Sequence, residues 1–183
     1  MGLDMMIYKM RRFGTATLND VWAVESMLRL REYNKEHLDK QYSIKEWCGH
    51  DEPAKEFIDF YSPMWHKGKY DSMCIVDEVA YWRKANAIHE WFVENVQNGE
   101  DDCEAHRELT RSDLTKLIDL CKKVLKNPEC ASEELPTQCG FFFGGTQYDE
   151  WYFDDLRNTI KQLESILKTT DFNTEAIYYV SSW

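Results

Sequence analysis

The chain has 183 residues, of which 43% are hydrophobic and 14% aromatic. These values predict a folded chain with one sizeable core and exclude intrinsic disorder. The formal net charge is −11, and residues 100–183 carry nine Lys/Arg against seventeen Asp/Glu, or −8. This acidity disfavours direct nucleic-acid binding and favours a basic protein partner, although solubility alone is an equally good explanation.

The targeting and cysteine patterns predict a cytoplasmic protein. No apolar run is long enough to cross a membrane, and the start MGLDMMIYKMRR lacks the apolar region of a secretory signal. The six cysteines lie far apart without a C-x-x-C pair, which is typical of reduced thiols. We therefore expect no membrane partner, no metal site and no cofactor.

The N-terminal third reads as one strand followed by helices. LDMMIYKM favours a strand, and Thr17 with Asp20 predicts the cap of a long helix through VWAVESMLRLREYNKEHL. SIKEWCG reads as one helical turn closed by Gly49, and DEPAKEFIDF reads as a short helix. The following stretch, SPMWHKGKYDS, has the composition of a loop.

The central stretch predicts the longest helix, from Ser72 to Gln97, with Asn98–Gly99 as its stop. Its apolar residues recur at helical spacing and would share one face. These residues are Tyr81, Ala85, Ile88, Phe92 and Val96.

The C-terminal half predicts two further helices and two strands. Thr110 with Asp113 caps LTKLIDLCKKVLK, and Thr146 with Asp149 caps a helix that ends near Leu167. The run from Cys139 to Phe143 reads as a buried strand, and EAIYYV reads as the last one.

The order of these elements predicts an α+β fold. We expect one compact, mostly helical domain over residues 1–183, with a small antiparallel sheet that pairs the N- and C-terminal strands. A mostly helical fold without that sheet is the alternative.

Two groups of residues are candidates for a ligand site. One lies along an edge of the predicted central helix and comprises Trp82, Arg83, Asn86 and His89. Stacking on tryptophan, phosphate binding by arginine and acid–base chemistry of histidine would suit a nucleotide, whereas plain core packing is the other interpretation. The second group, Gly144, Gly145 and Thr146, offers backbone N–H groups to an anion or simply forms a tight turn.

An acidic set near the start of the last helix is the candidate surface for a basic partner. It comprises Asp149, Glu150, Asp154 and Asp155. Glu150 and Asp154 are i, i+4 neighbours and should repel each other. This repulsion indicates either a basic partner or a nearby arginine, such as Arg157 or Arg83.

Four stretches resemble a family of small proteins encoded by bacteriophages and prophages: MGLDM, YWRKANAIHEWFVENVQNGEDDC, LPTQCGFFFGGTQYDEWY and IYYVSSW. Met6 stands where that family more often has an aromatic residue. The family has no established activity, so the resemblance implies no catalytic residue. It implies a bacterial host cell and a role against host defence, because small acidic phage proteins often have that role.

Two functional hypotheses follow, beside the possibility of a purely structural protein. The first is an acidic inhibitor of a basic host protein, with a CRISPR effector nuclease as the suggested target. The alternative is a protein that binds or sequesters a nucleotide or signalling nucleotide, or an enzyme that processes one. No catalytic motif is present, which favours a non-enzymatic protein. A tryptophan-rich surface would favour a homo-oligomer.

Overall fold

The computed structural model describes residues 2–66, 72–73, 76–103 and 106–183. The chain forms two compact units, one made of Met1–Lys9 with Glu78–Trp183 and the other of Met10–Asp77. The α+β class is confirmed, while the single domain over residues 1–183 stays a prediction. No helix among the described residues is long and apolar enough to cross a membrane.

The predicted sheet of the two terminal strands is confirmed. Within the described residues it has four strands in the order β4 (Val76–Arg83), β1 (Asp4–Arg11), β6 (Glu175–Ser182) and β5 (Arg107–Leu109). Lys9, near the end of β1, lies 3.3 Å from Glu175 at the start of β6, so these neighbours run antiparallel. β5 and β6 are also antiparallel, with Arg107 opposite Tyr179.

The predicted helix from Ser72 to Gln97 is wrong. The stretch forms β4 and then a shorter helix, α4 (Asn86–Val96). Burial in β4 alternates, with Ala80 and Trp82 inside and Tyr81 exposed, which is the period of a strand. Tyr81 and Ala85 therefore do not lie on a face of the helix. Of the predicted set, Ile88, Phe92 and Val96 are in α4.

The larger unit also contains the α-helices α5 (Arg111–Lys126), α6 (Ala131–Glu134) and α7 (Glu150–Thr169). The predicted capping box of Thr110 with Asp113 is confirmed at the start of α5. In α7, Leu156 and Leu163 are fully buried, as the predicted stripe requires. These helices share a core with the sheet, which positions the start of α7 near the end of β4.

The smaller unit contains α1 (Leu18–Glu36), α2 (Ile44–Cys48) and α3 (Lys55–Tyr61). The capping box of Thr17 with Asp20 is confirmed, and Gly49 ends α2 at φ +78°. The predicted loop after α3 contains two short strands, β2 (Trp65–His66) and β3 (Ser72–Met73), which pair antiparallel. Residues 67–71 of that loop lie outside the described part of the chain.

The run from Cys139 to Phe143 is an irregular loop, so the predicted buried strand is wrong. Phe141 is 95% exposed and only Phe143 is buried, with its N–H donating to Gly140 O at 3.2 Å in a tight turn. Glycines on both sides favour turns over a strand, and this preference outweighs the apolar character of the run.

Candidate functional site

A cavity of about 320 Å³ lies within the larger unit. One wall is the connection from β4 to α4, residues 83–88. The other wall belongs to the 135–149 loop and the first two turns of α7. Residues 89–134 separate the two walls in the chain, so the cavity is a product of tertiary structure.

The first wall places cations beside the start of a helix. Lys84 has φ +61°, a left-handed conformation that a non-glycine residue seldom adopts. Its N–H donates to Leu3 O at 2.8 Å and its C=O accepts from Asn86 N at 2.9 Å, so the surrounding structure holds this conformation. The turn places Arg83 and Lys84 at the cavity. Lys84 forms no salt bridge with a described residue, and Arg83 lies 4.0 Å from the Asp4 carboxylate.

The N-terminus of α4 has free amides at the cavity. Its N-cap residue, Ala85, provides no side-chain hydrogen bond. The next amides, of Ala87 and Ile88, donate to no residue in the described ranges, and both residues line the cavity. Unpaired N–H groups at a helix start carry partial positive charge and favour an anion.

Asn86 holds the second wall in place. Its side-chain amide donates to Phe143 O at 3.0 Å and to Gly145 O at 2.8 Å, and its Oδ1 accepts from Gln138 N at 3.0 Å. Asn86 is only 4% exposed. All three of these bonds serve the loop, so this predicted ligand residue is a structural one that shapes the cavity.

Gly144 allows the loop to approach Lys84 closely. It has φ +91°, and a Cβ built on it would lie 3.1 Å from Lys84 Cβ and 3.4 Å from Lys84 O. A side chain at this position would be both strained and crowded. Gly144 and Gly145 line the cavity, whereas Thr146 lies outside the lining, with its C=O accepting from Thr137 Oγ1 at 3.1 Å.

The predicted acidic set is divided among three roles. Glu150 and Asp154 both form salt bridges with Arg157, which confirms the expected arginine. Asp149, rather than Thr146, caps α7, and its carboxylate accepts from Tyr152 N at 3.2 Å. Asp149 and Asp155 also line the cavity.

Asp155 is the titratable group that the cavity perturbs. Partial burial, followed by repulsion from Asp154 and Asp149, raises the pKa of its carboxyl to about 6. No donor among the described residues forms a hydrogen bond with this carboxylate. A perturbed, unpaired carboxyl in a cavity is typical of a functional group.

Trp151 also lines the cavity, and it is 80% exposed. The sequence patterns did not indicate Trp151 or Lys84 as site residues. One sequence feature could have indicated that Trp151 is exposed. It lies about 140° around the predicted helix from Leu156, and so on a different face from the buried stripe.

Trp82 and His89 belong to the core, and the predicted shared helix edge is wrong. Trp82 lies on β4, and its indole N–H donates to Thr159 Oγ1 at 2.9 Å in the interior. His89 is fully buried on α4, with Nδ1 2.7 Å from the Tyr179 hydroxyl and Nε2 3.1 Å from Asp101 Oδ2. Desolvation lowers the pKa of His89 although Asp101 opposes this shift.

Replacing Asp155 by asparagine should stabilise the protein by about 1–2 kcal/mol at pH 7. A pKa raised from 3.8 to about 6 corresponds to roughly 3 kcal/mol, which solvent screening of this partly exposed side chain reduces. The folded state binds the proton more tightly, so the free energy of unfolding falls as pH rises from about 4 to 6 in the parent. Urea denaturation of both proteins across this pH range measures the effect.

The matched control for this prediction is Asp119→Asn, on an exposed position of α5. We expect it to change stability by less than about 0.5 kcal/mol, as most surface substitutions do. An Asp155→Asn variant no more stable than the parent at pH 7 would contradict the burial argument.

No protein-family model, curated protein or solved structure matches this chain. The resemblance to phage-encoded proteins therefore stays a prediction. Among the described residues, no group of three or more His, Cys, Asp or Glu side chains is arranged to hold a metal ion.

Proposed function

We propose that the cavity binds a mononucleotide, with its phosphate at the start of α4 and its base on Trp151. The observation that carries the proposal is that opposite charges line one cavity without forming a salt bridge with each other in the described part of the chain. Arg83 and Lys84 line one side and Asp155 lines the other, yet no cation among the described residues lowers the pKa of Asp155. The space between them suits a ligand with an anionic end and a donor-rich end.

The anionic end has the features of a phosphate site. Lys84 provides an ammonium group, Arg83 provides a guanidinium group, and the amides of Ala87 and Ile88 are free to donate. Charge-assisted hydrogen bonds to phosphate oxygens are stronger than bonds between neutral groups. A helix start of this kind binds phosphate without side-chain capping.

The size and aromatic content of the cavity favour a single nucleotide. Its 320 Å³ lies near the lower end of the roughly 300–1,000 Å³ that is usual for ligand sites. Such a volume is small for a dinucleotide. An exposed indole at the cavity offers a face on which a base can stack, worth about 1–3 kcal/mol.

The inhibitor hypothesis stays a prediction, and its electrostatic basis is weaker than the sequence suggests. Of the four acids proposed to mimic phosphates, Glu150 and Asp154 are paired with Arg157. Asp149 is occupied as a helix cap, and Asp155 is partly buried. The negative charge that these four acids present to a basic partner is therefore much smaller than that of four unpaired, exposed carboxylates.

Calorimetric titration with AMP, GMP, CMP, UMP and inorganic phosphate tests the proposal. We expect at least one nucleotide to bind, and Lys84→Ala and Arg83→Ala each to weaken it by about tenfold through loss of a charge-assisted bond. Lys116→Ala, on the exposed side of α5, is the control and should leave binding unchanged. Absence of binding by the parent to every nucleotide and to phosphate at millimolar concentration would contradict the proposal.

A further inference from the structure

Trp151 and Asp155 are placed to recognise one flat group together. They are four residues apart on α7, so their side chains are neighbours on one face of the helix, and both line the cavity. Trp151 is 80% exposed, so its ring is available for stacking. A base stacked on this ring would have one edge beside the Asp155 carboxylate.

The carboxylate restricts which edge is acceptable. An ionised carboxyl group is acceptor-only, with two oxygens that can take two parallel donors. Asp155 receives no donor from a described residue, so a ligand that covers it must supply donors or leave a charge unsatisfied. A ring acceptor next to the donor would repel the carboxylate.

Guanine is the common base that meets this requirement. Its N1–H and exocyclic N2 amino group are adjacent donors on one edge. Adenine and cytosine place a ring acceptor beside their amino group, and uracil places its N–H between two carbonyl oxygens. We infer that the ligand is a guanine nucleotide, with its base stacked on Trp151 and its N1–H and N2 groups donating to Asp155.

This inference rests on the proposed nucleotide site and adds the identity of the base. A carboxylate can also accept hydrogen bonds from the ribose hydroxyl groups. The spacing of Trp151 and Asp155 favours the base, because the edge of a stacked ring lies nearer to a side chain one turn along the same helix.

Calorimetry at pH 7 with GMP, IMP, AMP, XMP and the 2′,3′-dideoxy form of GMP provides the test. We expect the parent to bind GMP at least tenfold more tightly than IMP, which lacks the 2-amino group and one charge-assisted bond. AMP should bind more weakly than GMP by a larger factor, because its N1 is an acceptor. Dideoxy-GMP should bind like GMP. Trp151→Ala should weaken all bases by roughly fivefold or more through lost stacking.

The decisive variant is Asp155→Asn. The asparagine carbonyl still accepts from N1–H, but its amide group is a donor and complements the C2 carbonyl of XMP instead of the amino group of GMP. We expect the variant to prefer XMP over GMP, whereas the parent prefers GMP over XMP. Because a reversed preference requires a folded site, loss of folding cannot produce this result.

Each contrary outcome has a separate meaning. If the parent binds GMP and AMP equally, or if Asp155→Asn leaves the ratio of GMP to XMP affinity unchanged, the guanine inference is wrong and the nucleotide site stands. If dideoxy-GMP binds weakly and IMP binds like GMP, the carboxylate contacts the ribose, and the inference is also wrong. If the parent binds neither nucleotides nor inorganic phosphate, the proposed function itself is wrong.

Discussion

Replacing Asn86 by alanine should destabilise the protein by about 3–4 kcal/mol and weaken ligand binding at least tenfold. The substitution removes three hydrogen bonds and leaves Gln138 N–H, Phe143 C=O and Gly145 C=O without their partner. A buried group left unpaired costs about 1–3 kcal/mol. The loop would then lose its hydrogen bonds to Asn86 of α4, which hold the second wall of the cavity in position. Urea denaturation measures the stability, and calorimetry measures the binding.

Two further variants of the same helix make this prediction specific. Asn95→Ala, at an exposed position where the side chain donates to Trp91 O and to no other described residue, should cost less than about 1 kcal/mol. Asn86→Asp keeps the shape but turns the donor into an oxygen facing the Phe143 and Gly145 carbonyl oxygens. We expect it to be at least as destabilising as Asn86→Ala. A stable Asn86→Asp variant with intact binding would refute the role assigned to these bonds.

Replacing His89 by alanine should cost about 3–5 kcal/mol. The side chain is fully buried, packs edge-to-face on Phe143 with ring centroids 5.2 Å apart, and contacts the Tyr179 hydroxyl and Asp101. Its removal leaves a cavity and takes one contact each from the Tyr179 hydroxyl and the Asp101 carboxylate, although Trp183 Nε1 still donates to Asp101. Thermal and urea denaturation at pH 7.5, where the histidine is neutral in both states, measures the loss.

A double-mutant cycle with Tyr179→Phe separates the hydrogen bond from the packing. Alone, Tyr179→Phe should cost about 1–2 kcal/mol because His89 Nδ1 loses its partner. In the His89→Ala background it should be nearly neutral, which gives a coupling energy of about 1–2 kcal/mol. Additive effects of the two substitutions would show that the bond contributes nothing to stability.

The buried histidine also gives a pH dependence of known sign. Desolvation lowers the pKa of folded His89, so the unfolded state binds the proton more readily near pH 6. The stability contributed by neutral, buried His89 is therefore fully present above the unfolded-state pKa of about 6.5. It is lost as the pH falls from 6.5 towards the lower pKa of the folded state. Asp155 acts in the opposite direction below pH 6, where it becomes protonated and the folded state gains stability. Subtracting the free energy of unfolding of His89→Ala, or of Asp155→Asn, from that of the parent at each pH separates the two contributions.

Features that depend on neighbours in the sequence were predictable. The capping boxes at Thr17 and Thr110 require only residues three positions apart, and both formed as expected. The pairing of Glu150 and Asp154 with Arg157 is equally local, since all three lie within two turns of α7. Strand propensity at the two ends also correctly indicated the terminal sheet.

Two wrong predictions, a helix from Ser72 and a strand from Cys139, came from apolar patterns that fit more than one kind of secondary structure. Tyr81, Ala85 and Ile88 fit a helical spacing, yet the sheet buries Ala80 and Trp82 instead. Burial on the sheet outweighs helical spacing for these residues, and local propensity is only a weak prior against tertiary packing. The same holds for the apolar run at Phe141, where the glycine turns leave one ring in solvent and bury Phe143.

The sequence by itself therefore determined the fold class, the capping boxes at Thr17 and Thr110 and the local charge pairs, because each depends on contacts within a few residues or on average composition. Only the tertiary structure decided which residues form the site. It assigned Asn86 and His89 to hydrogen bonds within the larger unit and brought Lys84 and Asp155, 71 positions apart, to one cavity. The shifted pKa of Asp155 has the same origin, because it comes from burial, and burial exists only once distant segments pack together.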